Sequence, residues 1–321
     1  MSAADPTPLG GVLNVDKPAG WTSHDVVARV RRLAGLRQVG HAGTLDPMAT
    51  GVLVLCLGRA TRLLEYLTGQ PKSYLAEVTL GVVTDTYDAE GEIVSRFSDW
   101  HALADRAAPQ RPGEADNAPA LTADQIERAL EAFRGEIMQR PPAFSALKRD
   151  GVPLYRRARA GERVEVEPRP ATIYELTLLH LEGATLRLHV RCGAGVYVRS
   201  IAHDLGQALG CGAHLSALRR TAVGAFSVEN AVALESLTEA GALAAAVQPA
   251  DAAVAHLPAV ALNAAEVSRL LHGQAVAAAA PLQAGPARAY DPQGRFLGIV
   301  AGDAAARVWR PSKILANQEP P

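Results

Sequence analysis

The chain has 321 residues, longer than a usual single domain, so a main unit with a smaller second module is expected. Hydrophobic residues make up 48% and charged residues 20%, enough apolar material for a sizeable core, which excludes global disorder. A formal net charge of -1 excludes a chain-wide basic field, so contact with a polyanion must come from local clusters.

After a Pro-rich leader, Val12 to Val15 reads as a short strand, and Thr22 with Asp25 three residues on reads as a capping box opening a helix. Val26, Val27, Val30 and Leu33 give that helix an apolar face, and Gly35 ends it. A loop from Val39 to Thr50 leads into an apolar strand, Val52 to Leu57, and a helix stopping near Gly69. Tyr74, Ala76, Val78 and Leu80 then alternate with Leu75, Glu77 and Thr79 as in a strand. Residues 99–120 are rich in Pro, Ala and charge without periodicity, the pattern of a flexible surface insertion that carries no chemistry.

Thr122 and Gln125 suggest a second capping box, with a helix reaching about Phe133. Within 137–169, Arg140, Lys148, Arg149, Arg156, Arg157, Arg159, Arg163 and Arg169 outweigh Asp150, Glu162, Glu165 and Glu167. That surplus, with Arg219 and Arg220, reads as a phosphate-facing patch. Leu186, Leu188 and Val190 alternate with Arg187, His189 and Arg191 in a strand, followed by a Gly-flanked Val-Tyr-Val-Arg and a helix ending near Gly210. An Ala-rich connection from Ala240 to Ala255 places the expected boundary there, dividing the chain into 1–248 and 249–321.

The most informative stretch for chemistry is Gly40-His41-Ala42-Gly43-Thr44-Leu45-Asp46-Pro47-Met48-Ala49-Thr50-Gly51. Its glycines permit tight turns, and Pro47 biases Asp46 away from helical dihedrals, so the carboxylate is presented on a loop. An Asp-Pro pair by itself is an ordinary turn. Other chemistries lack their residues. His24, His41, His180, His189, His203 and His214 stand in no metal-ligand spacing. Ser200, His203 and Asp204 superficially suggest a triad but share one short helix without a nucleophile elbow. Neither G-K-[ST] nor G-x-G-x-x-G occurs in the Gly40–Gly51 loop. Cys56, Cys192 and Cys211 are far apart, which fits reduced thiols in a cytoplasm rather than a disulfide framework or zinc site. The N-terminus lacks a basic region followed by an apolar run, and Val52 to Leu57 is too short to cross a bilayer.

The loop resembles the signature of the tRNA pseudouridine-55 synthases of the TruB type, and further matches follow in order along residues 9 to 230. They are Val12 to Ser23, Lys72-Ser73-Tyr74, Pro141 to Lys148, Gly195 to Ile201, and Leu205-Gly206 through Gly212-Ala213-His214-Leu215 to Leu218-Arg219-Arg220. Ordered blocks of this kind are more specific than one short motif. The resemblance implies an α+β pseudouridine synthase fold with a mixed, mainly antiparallel central sheet. A small β-rich PUA-like RNA-binding module is expected to follow, most visibly at Leu262 to Val276.

By the same resemblance, Asp46 is the catalytic aspartate and Arg199 the arginine that pairs with it. Tyr74 stacks on the target base and is implicated in proton removal. Tyr197 and Leu218 line the uracil pocket, though by local pattern they read as a strand tyrosine and a helical leucine. His41 helps hold the flipped-out nucleotide. Three of the four lysines, Lys17, Lys72 and Lys148, fall inside matched blocks, and Lys17 is taken as a further substrate contact. The implied reaction isomerises uridine 55 in the tRNA T-arm after base flipping, without metal or cofactor, in a monomer with no protein partner. The alternative is a tRNA-binding or RNA-folding protein whose modification activity is secondary.

Overall fold

A computed structural model describes residues 10–97, 121–145, 147–149, 151–160, 162, 166–278, 282 and 284–316. The expected insertion at 99–120 lies outside the described residues. The first strand, Gly11–Lys17 (β1), leads into the helix Ser23–Ala34 (α1), whose capping box Thr22/Asp25 and left-handed Gly35 stop are both present. Val39–His41 (β2) and Thr50–Leu57 (β3) flank the Asp46 loop. From Gly51 onward β3 is buried at every residue, so its continuous apolar run reflects a strand covered on both faces.

The expected helix up to Gly69 is instead a 3-10 turn, Gly58–Leu63, followed by a short helix, Leu64–Thr68. Lys72–Leu80 (β4) alternates as expected: Tyr74, Ala76, Val78 and Leu80 are buried against the helices Ala123–Glu131 (α2) and Val198–Leu209 (α3). The second capping box, Thr122/Gln125, opens α2. Gly135–Gln139 (β5), Arg169–Glu182 (β6), Thr185–Cys192 (β7) and Ala213–Val223 (β8) complete the main strands.

The large sheet runs Val232–Ala233, β1, β3, β8, β4, β7, β6, β5, with β2 added on β3 and Gln248–Pro249 on β1. Its pairings are antiparallel except β1 with Val232–Ala233 and β8 with β3. A second sheet of five strands, Ala259–Ala261, Gly285–Tyr290, Phe296–Asp303, Val308–Ile314 and Val276–Ala277, forms the C-terminal module. The expected boundary at 248/249 falls inside continuous packing, because Ala250, Ala253 and Val254 join Val12, Val52 and Leu63 in one cluster. Phe296, Ile299 and Leu315 of the module enter the same cluster, so the two sheets share core.

Two local readings need correction. Tyr197 is not in a strand: β7 ends at Cys192, Gly195 turns left-handed (φ 83°), and Tyr197 caps α3 in extended conformation. Leu218 is not helical but lies on β8, opposite Ala76 of β4. The run Ala213 to Val223 is poor in β-branched residues, yet its pairing with β4 on one side and β3 on the other overrides local preference.

Candidate active site

Asp46 sits on a loop anchored residue by residue. Ala42 donates its backbone N–H to Val54, and Ser23 at the start of α1 exchanges two hydrogen bonds with the Leu45 backbone, at 2.9 and 3.2 Å. Arg220 of β8, 1% exposed, donates through its guanidinium to the carbonyls of Val52 (2.7 Å), Gly43 (3.1 Å) and Thr44 (3.4 Å). Pro47 O accepts from Gly20 N–H at 2.9 Å and from the Lys17 ammonium at 3.2 Å. The loop is therefore fixed on both sides of the carboxylate by β1, α1 and β8.

The Asp46 carboxylate lies along one edge of the Arg199 guanidinium. Nη2 donates to Oδ1 at 3.3 Å, while Nε stands 3.1 Å from Oδ2, close enough for an ion pair but off the line of a hydrogen bond. Arg199, in the first turn of α3, is 6% exposed and is held from its other side. Its Nη1 donates to Asp88 Oδ2 (3.1 Å) and Thr86 O (3.2 Å), and Nη2 also to Phe144 O (3.0 Å). Burial pushes the Asp46 carboxyl above the usual carboxylate range, with Arg199 opposing that shift and Asp88 adding to it. A carboxylate oriented by a fixed guanidinium, and poorly solvated otherwise, can in its ionised form attack or stabilise an electron-poor carbon.

Asp46, Tyr74, Tyr197, Arg199 and Leu218 line one cavity of about 260 Å³, with Lys72 and Arg220 at its wall. Two phenols and an aliphatic side chain suit a planar ring. Burial raises both phenols, with the Arg220 guanidinium opposing at Tyr74 and the Arg199 guanidinium opposing at Tyr197. Lys72 donates to Thr68 O (2.9 Å) and Gln70 O (2.8 Å), and burial lowers its ammonium to about 8. Val198, the residue between Tyr197 and Arg199, turns inward to the core beneath the site.

The structure does not bring every expected residue to the cavity. His41 lies outside its lining, tilted against His24 with ring centroids 5.6 Å apart, and its Nδ1 accepts from Gly43 N–H at 3.3 Å. Burial lowers the His41 imidazole, which favours its neutral form. Lys17 is fully buried, and its ammonium donates to Pro18 O (2.9 Å), Trp21 O (2.7 Å) and Pro47 O (3.2 Å). It fastens the loop rather than facing a substrate. Arg220 likewise has no surface for a phosphate, and Arg219 is paired with Asp16 at 2.7 and 3.2 Å. Ser200 and His203 form no triad: Ser200 Oγ donates to Arg140 O, and His203 stacks on Tyr87. Among the described residues, no group of three or more His, Cys, Asp or Glu could hold a metal ion.

The N-terminal domain model of the TruB family pseudouridylate synthases matches residues 31–111 and 104–198. A tRNA pseudouridylate synthase B C-terminal domain model matches 199–255, and a pseudouridine synthase II TruB C-terminal model matches 258–310. The tRNA pseudouridine synthase B of Dehalococcoides mccartyi strain CBDB1 is 41% identical over 315 residues, covering 97% of this chain and 98% of the relative. The chain belongs to the TruB family. Another member, the tRNA pseudouridine synthase B of Solibacter usitatus, is 46% identical over 285 residues, covering 88% of this chain and 90% of its own. Among solved structures, a Cbf5–Nop10–Gar1 complex chain matches with a TM-score of 0.70 at 27% identity, over 99% of this chain and 92% of that one.

The TruB resemblance led to Asp46, Arg199 and the cavity walls but not to what holds them. Asp88, 3% exposed, steadies Arg199 and in turn accepts from Thr86 Oγ1 at 2.6 Å and Glu90 N–H at 3.1 Å. Gln139, at the end of β5, clamps the Tyr197 backbone with two reciprocal amide bonds, at 2.8 and 3.0 Å. The only local hint was the polar turn Thr84-Asp85-Thr86-Tyr87-Asp88, which reads equally well as a plain Asx turn.

Proposed function

We propose that this TruB-family enzyme converts uridine to pseudouridine at position 55 in the T-arm of tRNA, with Asp46 as its catalytic carboxylate. The reaction breaks the C1′–N1 bond and forms C1′–C5, while C5 loses a proton and N1 gains one. Atoms and electrons balance within the nucleotide, so its chemistry needs no oxidant or group donor. The target base is stacked within RNA and must be flipped into the cavity, where Tyr74, Tyr197 and Leu218 receive it. Asp46 then adds to C1′ or stabilises cationic charge there, as carboxylates do in glycoside hydrolysis. The observation that carries this reading is the Asp46–Arg199 pair at the floor of that cavity, on a loop anchored at both ends.

The enzyme acts as a cytoplasmic monomer in this reading. Three unpaired, buried cysteines support a reducing compartment, and among the described residues no helix is long and apolar enough to cross a membrane. We place the division between the catalytic unit and the RNA-binding module between Val254 and Ala259, after the 3-10 turn Ala250–Val254 and before the first strand of the small sheet.

Asp46→Asn tests the assignment, because it removes the charge and nearly preserves the shape. Single-turnover pseudouridine formation is expected to fall on the order of a thousandfold or more. Binding of tRNA is expected to persist, since stacking and phosphate contacts come from elsewhere. In the unsubstituted enzyme, the raised Asp46 carboxyl takes up its proton at a higher pH than a free carboxylate, so the rate falls early on the acid side. Wild-type turnover in Asp46→Asn sinks the catalytic role of Asp46, whereas tRNA binding without pseudouridine formation by the unsubstituted enzyme would leave tRNA binding or folding as the main function.

A further inference from the structure

One residue beside the ion-pair network stands in a backbone conformation foreign to its type. Tyr87 has φ of 64°, and the only other described non-glycine residue with positive φ is Arg307, in the C-terminal module. A left-handed backbone brings Cβ against the neighbouring carbonyl, so a tyrosine keeps it only when its surroundings impose it. Part of that constraint is backbone: Tyr87 N–H donates to Thr84 O at 3.3 Å, and Tyr87 O accepts from Leu215 N–H at 3.0 Å. The other part is the side chain. The Tyr87 ring lies flat on His203, with centroids 3.7 Å apart and planes 13° from parallel. His203 Nδ1 is buried with no hydrogen-bond partner, while the ring face is covered by Tyr87.

The placement of the two rings matters more than the stack itself. His203 stands on α3 one helical turn after Arg199, and Tyr87 immediately precedes Asp88. The same helix and the same turn are therefore joined twice: by the Asp88–Arg199 ion pair at 3.1 Å and, one turn along, by the ring stack. Flipping Tyr87 out of the left-handed region would redirect the chain at Asp88. The Arg199 fork would then lose the partner that sets its angle toward Asp46.

We propose that the Tyr87–His203 stack is a positioning clamp for the isomerisation: it holds the turn in the left-handed conformation that aims Asp88 at Arg199, and through Arg199 it fixes Asp46. Neither ring lines the cavity, so neither is a catalytic residue. The inference rests on the catalytic reading of Asp46 given above.

The test is a small set of variants measured for single-turnover rate, tRNA affinity, thermal unfolding and the pH–rate profile. His203→Ala is expected to slow turnover about ten- to a hundredfold, the scale of a small misplacement of a reacting group, with affinity and unfolding unchanged. The charged and titratable groups facing Asp46 are Arg199 on α3, Asp88 and Glu90 on the turn, Lys17 on β1 and Arg220 on β8, with the phenols of Tyr74 and Tyr197. Losing the clamp would loosen Arg199, which lowers the Asp46 carboxyl, and shift Asp88, which raises it; Arg199 is the larger influence, so His203→Ala should also move the acid limb to higher pH. His203→Phe keeps a flat ring and is expected to keep both rate and profile. The decisive member is Tyr87→Gly introduced into His203→Ala. Glycine adopts positive φ without strain, so the second substitution should recover most of the lost rate.

A His203→Ala enzyme within about twofold of wild type overturns the clamp, that being no measurable barrier change. So does a loss that Tyr87→Gly leaves in place, or one that simply follows tRNA affinity. Asp46→Asn is measured beside them: if it is inactive while His203→Ala is unaffected, the clamp alone fails. An active Asp46→Asn overturns the catalytic reading on which the clamp depends.

Discussion

Lys17 illustrates how a buried charge can serve a site it never touches. Its ammonium satisfies three carbonyls on the segments leading into α1 and out of Asp46, and burial lowers it to about 8, with Glu90 and Asp46 opposing. Lys17→Met fills similar space but takes the ammonium donor from Pro18 O and Trp21 O, while Pro47 O keeps the Gly20 N–H. An expected loss of about 2–4 kcal/mol follows, since each buried orphan costs about 1–3 kcal/mol while removal of the buried charge offsets part of it. Denaturant unfolding checks the stability, and turnover should fall with the loop's anchorage. An unchanged midpoint would mean that Gly20 and Ser23 hold the loop unaided. At this scale the sequence was legible for residues that the fold brings to the cavity wall. Asp46, Tyr74 and Arg199 could be named from their blocks, but Asp88 and Gln139 could not, because their partners are 111 and 58 residues away. A side chain's role as substrate contact or as internal fastener is decided by burial, which explains the revision of Lys17 and Arg220.

Elements were legible wherever their signals are local. Both capping boxes, the Gly35 and Gly210 stops and the alternation of β4 are written within a few neighbouring residues, and all are present. The two misplaced residues, Tyr197 and Leu218, belong to segments whose form is set from a distance, by the Gln139 clamp and by pairing on both sides of β8. The contact between β3 and β8 gives the most direct test at this scale. Their parallel register sets Gly51 opposite Arg220, and a Cβ at Gly51 would stand 2.1 Å from Arg220 O, at a φ of 99°. No side chain can yield there because the obstacle is backbone. Gly51→Ala is expected to cost about 2–4 kcal/mol from strain and a forced strand shift. Because Arg220 also fastens Gly43 and Thr44, turnover should fall further than stability does. Equal activity and stability in Gly51→Ala would show that the register is not rigid.

Across the whole molecule, the small net charge leaves tRNA binding to the distribution of surface groups. The structure narrows that distribution. Arg220 is internal, Arg219 is neutralised by Asp16, and Arg157 is bonded to Glu162 at 2.7 Å. Arg140, Arg156 and Arg169 are exposed, and Arg140 and Arg169 adjoin the ends of β5 and β6 next to the Gln139 that clamps Tyr197. Phosphates following a base into the cavity would pass this edge. Replacing Arg140, Arg156 and Arg169 together with Gln should weaken tRNA binding and flatten the plot of log affinity against log salt by about 2–3, since each phosphate contact releases roughly 0.7–0.9 of a counterion. Arg219→Gln should leave that slope nearly unchanged, because its fork is engaged by Asp16 and not by phosphate. The rate at saturating tRNA should be unchanged in the triple variant, as none of the three arginines reaches Asp46. Fluorescence titration of tRNA over a range of salt concentrations, with single-turnover assays at saturation, gives both quantities. A slope equal to wild type in the triple variant would place the phosphate path elsewhere on the surface, and a slope lowered by Arg219→Gln would place it across β8.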